Sequence, residues 1–311
     1  MYQSGVLNMA VVYYNSERAE NISVSEKKFQ LLYVCQADYE DTIIPTAMHA
    51  HKNHLEIQYI SGGKAHIRIG GHAYEVQKGD VIIYNAGIIH DERADPVSGM
   101  AFYNCGIKDL QLPYLPEGHL LAHDVKPVLH AGDMLDNIQA IFQIIFEQVS
   151  EKKDGSASVC YHLLNALLGI LIKQLPQEKM IQRNKIDQSF QKCKTFIDEH
   201  FTENISAEEL SKIANMSVSG FSHQFKKIFG LAPIQYLIRL KIGLGQKLLI
   251  TTNKSVTEIS MSLGYDNVSH FNNQFKKYVG TSPQNYRKLW LGNEQFQNLN
   301  HIYNELMKKS Y

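Results

Sequence analysis

Residues 217–236 read SVSGFSHQFKKIFGLAPIQY, and residues 267–286 read NVSHFNNQFKKYVGTSPQNY. At an offset of 50 the two stretches align without a gap. Phe221 falls on Phe271, Phe225 on Phe275, Lys226-Lys227 on Lys276-Lys277, Gly230 on Gly280, Pro233 on Pro283 and Tyr236 on Tyr286. Self-similarity of this kind marks a duplicated structural unit. In each copy the two phenylalanines are four residues apart, so on a helix they share one face.

The residues before each stretch correspond as well. Ser206-Ala-Glu-Glu209 and Ser255-Val-Thr-Glu258 are both S-x-x-E sequences. There the serine hydroxyl accepts from the backbone three residues on and the glutamate reaches back. Each starts a short helix, expected at 207–214 and 256–263. A turn follows, with Asn215-Met216 in one copy and Gly264-Tyr265 in the other. The second turn is one residue longer, because Leu210 and Ile259 are offset by 49. A second helix then begins near Ser217 or Asn267. Short capped helix, tight turn, second helix is the helix-turn-helix plan.

Opposite the phenylalanines, the first copy presents Ser219, Ser222, His223 and Lys226, and the second presents Ser269, Asn272, Asn273 and Lys276. Asn pairs with adenine edges, and Ser and His reach several acceptors. Lysines at the far end suit phosphates. Ser219, Ser222, His223, Ser269, His270, Asn272 and Asn273 are therefore the candidate base readers. Ser217, Lys226, Lys227, Asn267, Lys276 and Lys277 are the candidate phosphate contacts. One such face can be an ordinary solvated surface; two copies in one basic region point to double-stranded DNA. A long helix expected at 234–251, with Leu237, Leu240, Leu244, Leu248 and Leu249 inward, separates the copies. Successive major grooves on one DNA face would place the two reading helices roughly 34 Å apart. Gly243 and Gly245 each weaken such a helix by about 1 kcal/mol relative to Ala. Close packing is the reading preferred for them over flexibility.

Charge supports this division. The 311 residues carry no net charge. Residues 1–180, however, hold 14 Lys and Arg against 21 Asp and Glu, a net of −7, and residues 181–311 hold 17 against 10, a net of +7. Phosphate attraction follows the local field, so the second value is the relevant one. With 44% hydrophobic and 20% charged residues, the composition is that of an ordinary globular chain. No run of about 18 apolar residues occurs, so no membrane span is expected. The most apolar stretch, 163–175, is broken by Asn165 and Lys173. The first 15 residues lack a basic segment followed by an apolar one, so no signal peptide is expected. Cys35, Cys105, Cys160 and Cys193 are far apart and form no CxxC. Reduced thiols in a cytoplasmic protein are the expectation.

The N-terminal part has another texture. Segments 29–35, 55–60, 65–69 and 80–84 are short and rich in β-branched or aromatic residues. Gly62-Gly63, Gly70-Gly71 and Gly79-Asp80 read as turns between them. Short strands at this spacing suggest an antiparallel barrel or sandwich. Beyond Pro127 the pattern turns helical. Ile138, Ile141, Phe142, Ile145 and Val149 make one stripe, and Leu164, Leu167, Leu168 and Leu171 make another. These stripes must be buried against the barrel's flank or a second subunit.

His49 and His51, two apart, point to one face of a strand. Glu56 has opposite parity, so the chain must turn near Lys52-Asn53 to bring it alongside. With His90 they form a set able to bind Zn, Mn, Fe or Ni. They and Gln58 can equally line a metal-free pocket for a polar effector, or hydrogen-bond as structural groups. His54, His66 and His72 lie on the same hairpins and carry little weight.

Taken together, these segments resemble the AraC/XylS family of transcription regulators. The resemblance covers residues 186–291 and rests on both F-K-K segments, the G-x-x-P-x-x-Y ends and Val256-Thr-Glu-Ile-Ser260. It implies a seven-helix domain with two helix-turn-helix units, whose base-contacting positions fall on Ser219, His223, Ser269 and Asn273. Serines at 219 and 269 are smaller than the residues usual in the family, which shifts specificity toward His223, Asn273 and DNA shape. The N-terminal half resembles the family's cupin-type sensor domain, through His49-Ala-His51, Glu56, Gly79-Asp80, Gly87 and His90, with Asn85 where the second cupin motif usually has Pro. Sensor domains of this kind bind small organic effectors without a metal.

The expected fold is α+β. It comprises a cupin-like effector-sensing β-barrel (1–125), a helical dimerisation segment (126–176), a linker (177–185), an all-α DNA-binding domain with two helix-turn-helix units (186–291) and a helical tail (292–311). The expected function is sequence-specific transcription regulation by a homodimer, in response to a small polar effector with a sugar as first candidate. No enzymatic activity, cofactor or membrane partner is expected. A metal-dependent cupin enzyme tethered to a DNA-binding domain and a regulator with no effector are the alternatives.

Overall fold

The computed structural model describes residues 11–13, 29–42, 46–112, 115–122, 124–151, 154–175 and 188–291. The expected linker at 177–185 and the expected tail at 292–311 lie outside the described residues. Contacts divide the chain into two compact units. One holds most of the chain up to residue 186; the other holds the residues beyond, together with Thr46–Ala50 and Ile89–Asp91.

The chain is α+β, with sheet first and helices after. The strands are β1 (Val11–Tyr13), β2 (Gln30–Ala37), β3 (Thr46–His49), β4 (His54–Ile69), β5 (His72–Gln77), β6 (Asp80–Tyr84), β7 (His90–Ala94), β8 (Met100–Lys108) and β9 (Val128–His130). They form one sheet with β1-β2-β8-β4-β6-β9 along its main path. β4 pairs antiparallel with β8, β6 and, over its second half, β5.

Two corrections arise here. The segments 55–60 and 65–69 are not separate strands, because β4 runs unbroken for 16 residues. Gly62-Gly63 is no turn: the register against β8 shifts between Ile60 and Gly62. There Gly63 takes φ +69°, and a Cβ would stand 2.2 Å from the Gly99 carbonyl oxygen. The glycines serve a bulge and a close backbone approach, the other meaning glycine carries inside a strand. Gly70-Gly71 does make the β4–β5 hairpin turn, with φ of 54° and 88°.

Strand alternation divides the sheet's residues between two clusters. Leu55, Ile57 and Tyr59 lie in one with Ile83, Cys105 and Ile107. The same cluster contains Ile138, Phe142 and Ile145 of α1 (Leu135–Glu151) and Leu164, Leu167 and Leu171 of α2 (Ser156–Gln174). Both helical stripes therefore cover the sheet's flank. Phe142, fully buried, stacks on Tyr59 and Tyr103, each 6.2 Å away between ring centroids. α2 is long and apolar enough to pass as a membrane span by length and composition. Its leucines are instead committed to this core. Ile60, Ile82, Tyr84 and Phe102 belong to the second cluster.

In the other unit, among the described residues, seven helices follow from Gln188: α3 (Gln188–His200), α4 (Ala207–Ile213), α5 (Val218–Phe229), α6 (Pro233–Thr251), α7 (Val256–Ser262), α8 (Val268–Val279) and α9 (Pro283–Leu291). The buried face of α6 differs from the expected leucine stripe. Leu237 and Leu249 are buried, but Leu240, Leu244 and Leu248 are only half-buried, while Tyr236, Lys241, Ile242, Gly243, Gly245 and Gln246 are covered. The glycines explain the rotation. A Cβ at Gly245 would stand 3.2 Å from Leu263 and Phe271 atoms, and one at Gly243 would stand 1.8 Å from the Met48 carbonyl oxygen. Neighbouring backbone and rings come closest where α6 lacks side chains, so close packing accounts for both positions.

Candidate nucleic-acid interface and ligand-binding face

Each helix-turn-helix is assembled from local hydrogen bonds. In the first, Ser206 Oγ accepts from the Glu209 N–H at 3.1 Å and the Glu209 carboxylate accepts from the Ser206 N–H at 2.8 Å. In the second, Ser255 and Glu258 repeat the exchange at 3.2 and 2.7 Å. The Ser255 hydroxyl also donates to the Glu258 carboxylate at 2.7 Å, and the Ser206 hydroxyl to Glu209 at 3.0 Å; these hydroxyl and backbone N–H donors hold both glutamates below the usual carboxylate range. After α4 the chain turns through Asn215 with φ 54°; after α7 it turns through Gly264 with φ 72°. The next helices, α5 and α8, are capped by Ser217, which accepts from the Gly220 N–H at 3.2 Å, and by Asn267, which accepts from the His270 N–H at 2.7 Å. Both helices end at left-handed glycines, Gly230 and Gly280.

The inner faces are aromatic. Phe221, Phe225 and Phe229 are fully buried in α5, and Phe271 and Phe275 in α8. Phe225 meets Tyr236 edge-on at 5.6 Å, and Phe275 meets Tyr286 at 5.4 Å. With these faces inward, the opposite ones point to solvent. Ser217, Ser219, His223, Lys226 and Lys227 are exposed, and so are Asn267, Ser269, His270, Asn273, Lys276 and Lys277. Ser222 and Asn272 are half-buried at the face's edge. Ser217 and Asn267 use their side-chain oxygens as caps, which leaves a hydroxyl proton and an amide NH2 to offer a phosphate. The His270 ring meets Tyr265 edge-on at 5.4 Å and lies 3.3 Å from Gln274 Nε2, so it is held along the helix.

Cations that are not among the sequence candidates tie α6 to the second copy. Arg239 lies 5.3 Å over the Tyr278 ring, and Arg287 of α9 donates from Nε to the Leu249 carbonyl at 3.0 Å. Lys241 is buried. A charged residue in the middle of an apolar helix face is the signal that could have revealed it.

In the sheet unit, the residues of β4 that alternate with Leu55, Ile57 and Tyr59 carry the polar groups. His51 pairs with the Glu56 carboxylate, which also accepts from Asn104 Nδ2. The Tyr33 phenol, buried and beside the Glu56 charge, is raised well above its ordinary pKa. Gln58 Nε2 donates to Glu92 at 3.1 Å, while the Tyr84 hydroxyl lies 2.6 Å from Glu92 and 3.0 Å from Gln58. His51, Glu56 and Gln58 are legible in the sequence; Tyr33, Tyr84, Glu92 and Asn104 are not among its candidates, and the period-two pattern of their strands is the signal that points to them. His49 and His90 pair with one another in the other unit, ring centroids 4.2 Å apart. His49 Nδ1 bonds the Ala47 carbonyl at 2.8 Å. All four cysteines are free and buried; burial raises Cys160 and Cys193 to about 11 and pushes Cys35 and Cys105 further up, so none is a reactive thiolate at neutral pH.

Two family models match the chain: an AraC-like ligand binding domain over residues 32–168 and a helix-turn-helix domain over residues 210–289. The chain belongs to the AraC family of transcription regulators. It is a DNA-binding regulator with a ligand-binding domain. Among curated relatives, an uncharacterized HTH-type transcriptional regulator, YdiP, of Escherichia coli is 27% identical over 77% of this chain and 80% of its own length. The MmsAB operon regulatory protein of Pseudomonas aeruginosa is 28% identical over 76% of both. The lactose operon transcription activator of Staphylococcus xylosus is 23% identical over 67% of this chain and 75% of its own length. ToxT of Vibrio cholerae has a similar fold, at a TM-score of 0.51 and 13% identity over 84% of this chain and 96% of its own.

Proposed function

We propose that this AraC-family protein reads specific DNA with the exposed faces of α5 and α8. His223, Ser219 and Ser222 of the first copy, and Asn273, Ser269, Asn272 and His270 of the second, contact base edges. Ser217, Lys226, Lys227, Asn267, Lys276 and Lys277 hold phosphates. The observation that carries this reading is the duplicated face itself: two helices fixed by the same buried phenylalanines present short polar groups first and paired lysines after, in the half of the chain with a net +7. Short polar side chains at a helix's start suit base readout, and cations further along supply the salt-dependent attraction.

The effector reading rests on the polar face of the sheet. Glu56 and Glu92 are buried carboxylates, and the Asn104 carbonyl oxygen is buried with no donor among the described residues. Such a surface offers acceptors to a ligand rich in hydroxyl groups, and a small sugar is the first candidate. His51, Glu56 and Gln58 would hold it, joined by Tyr33 and Asn104. The likeness to a lactose operon activator is in keeping with this. The outer sides of α1 and α2 carry Ile144 and Val159, 40% and 41% exposed, which supports a homodimer built on these helices. The relatives named above are transcription regulators, in keeping with a cytoplasmic, non-enzymatic protein.

A salt titration of the purified protein on its own upstream DNA tests the reading. Tight, sequence-selective binding that weakens steeply as salt rises is expected, with affinity altered by the right sugar. Absence of binding to any DNA at low salt would sink it.

A further inference from the structure

We propose that Lys241 fixes the spacing between the two DNA-reading helices, and with it the base-pair separation of the half-sites that the protein accepts. The residue sits in the middle of α6, the helix that joins the two copies, and is 9% exposed. Its ammonium donates to the Glu203 carbonyl oxygen at 3.1 Å and reaches the Gly264 carbonyl oxygen at 3.5 Å. It also stands 5.4 Å over the Tyr265 ring. Glu203 lies in the loop that leads into the first helix-turn-helix. Gly264 is the turn of the second.

Independent packing joins the same two segments. A Cβ on Gly264 would fall 1.9 Å from the Thr202 carbonyl oxygen and 3.2 Å from Lys241 Nζ. The loop of the first copy therefore rests on the turn of the second, and a single side chain from the connecting helix hydrogen-bonds both. An ammonium suits this place, since it has three donors and no acceptor, and an aromatic face completes its surroundings. Burial lowers the lysine's pKa, and the Asp266 charge opposes that. Removing the ammonium leaves two inward carbonyls without this donor and the loop free to shift against the turn.

Two DNA-reading elements on one rigid body gain about 10²–10⁴-fold from binding together, and lose that gain when geometry forbids it. Each inserted base pair displaces a half-site by roughly 3.4 Å and rotates it about the axis. The experiment takes the DNA that the full-length wild-type protein selects from a random-sequence pool, a step that tests DNA reading by itself. Affinity is then measured for that site, for versions with one or two base pairs inserted between the half-sites, and for an isolated half-site.

Wild-type protein should lose on the order of tenfold or more on a single insertion. Lys241→Met should bind the isolated half-site as wild type does, bind the native spacing more weakly, and lose most of the distinction between spacings. Lys241→Gln, which is shorter and uncharged, takes its place if the methionine variant does not fold. A wild-type protein indifferent to insertions overturns the proposal without any variant. So does a Lys241 variant that keeps the wild-type spacing profile, or one that weakens the isolated half-site as much as the full site.

Discussion

The two helix-turn-helix copies share their caps, their buried phenylalanines and their terminal glycines, but their turns stand in different surroundings. Asn215 in the first is exposed, and its left-handed conformation needs only a residue that tolerates φ 54°. Gly264 in the second holds a similar φ while its Cα backs onto the Thr202 carbonyl. Asn suffices where the demand is conformational; only Gly suffices where a neighbouring backbone occupies the Cβ position as well. The helices behind the turns differ in parallel. The first copy buries a third phenylalanine, Phe229, in contact with Phe225 at 4.5 Å. The equivalent residue of the second is the half-buried Val279. Duplication thus preserves what the local motif requires, and each copy's neighbours decide the rest.

The largest test of this difference is in the cores. Phe225→Ala should cost about 3–5 kcal/mol of stability, and Phe275→Ala toward the lower end of that range. Chemical denaturation of the two variants reads it. Equal losses would mean that Phe229 adds nothing to the first copy. Glycine substitutions sharpen the contrast between turns. Gly280→Ala meets nothing within 4 Å, so it carries only the left-handed strain of about 1–2 kcal/mol. Gly264→Ala adds a steric conflict and should destabilise clearly more, measured in the same way.

DNA binding gives the next effect. His223→Ala and Asn273→Ala should each weaken binding by about 1–3 kcal/mol and relax sequence preference in their own half-site. Lys227→Ala should instead weaken all sequences alike and lower the salt slope by about 1. If the histidine and asparagine variants lose affinity on all sequences equally, these side chains do not read bases.

The smallest effect should be the same in both copies. Ser206→Ala and Ser255→Ala each remove a capping bond worth about 1 kcal/mol. Their glutamate partners have depressed folded-state pKa values. The associated stability is present above the unfolded glutamate's pKa and lost as pH falls through the folded value. The gap between the denaturation midpoints of wild type and either variant should therefore narrow on acidification below the ordinary glutamate range, leaving the part due to the serine's bond to the backbone N–H, which does not titrate. A gap that stays constant down to low pH would show that the carboxylates take no part in the caps.

Much of the helical half could be read directly from residues 206–286, because capping boxes, helix-stop glycines and a phenylalanine every fourth residue are local signals. The amphipathic stripes of α1 and α2 were equally legible. The sheet was harder. Gly62-Gly63 carries the same letters whether it ends a strand or bends one, and only pairing with β8 distinguishes the two. The polar groups gathered around Glu56 and Glu92 come from four different strands, β2, β4, β6 and β8, besides β7, so no window of sequence contains them.

By itself the sequence determined the duplicated DNA-reading motif, its capped helices and the opposite charges of the two halves, since each follows from spacing and composition along the chain. Only the tertiary structure decided which face of α6 is buried, why Gly243, Gly245 and Gly264 have no side chain, and where the Lys241 ammonium finds its carbonyls. Those outcomes depend on how closely backbones distant in sequence approach one another, which no local pattern encodes.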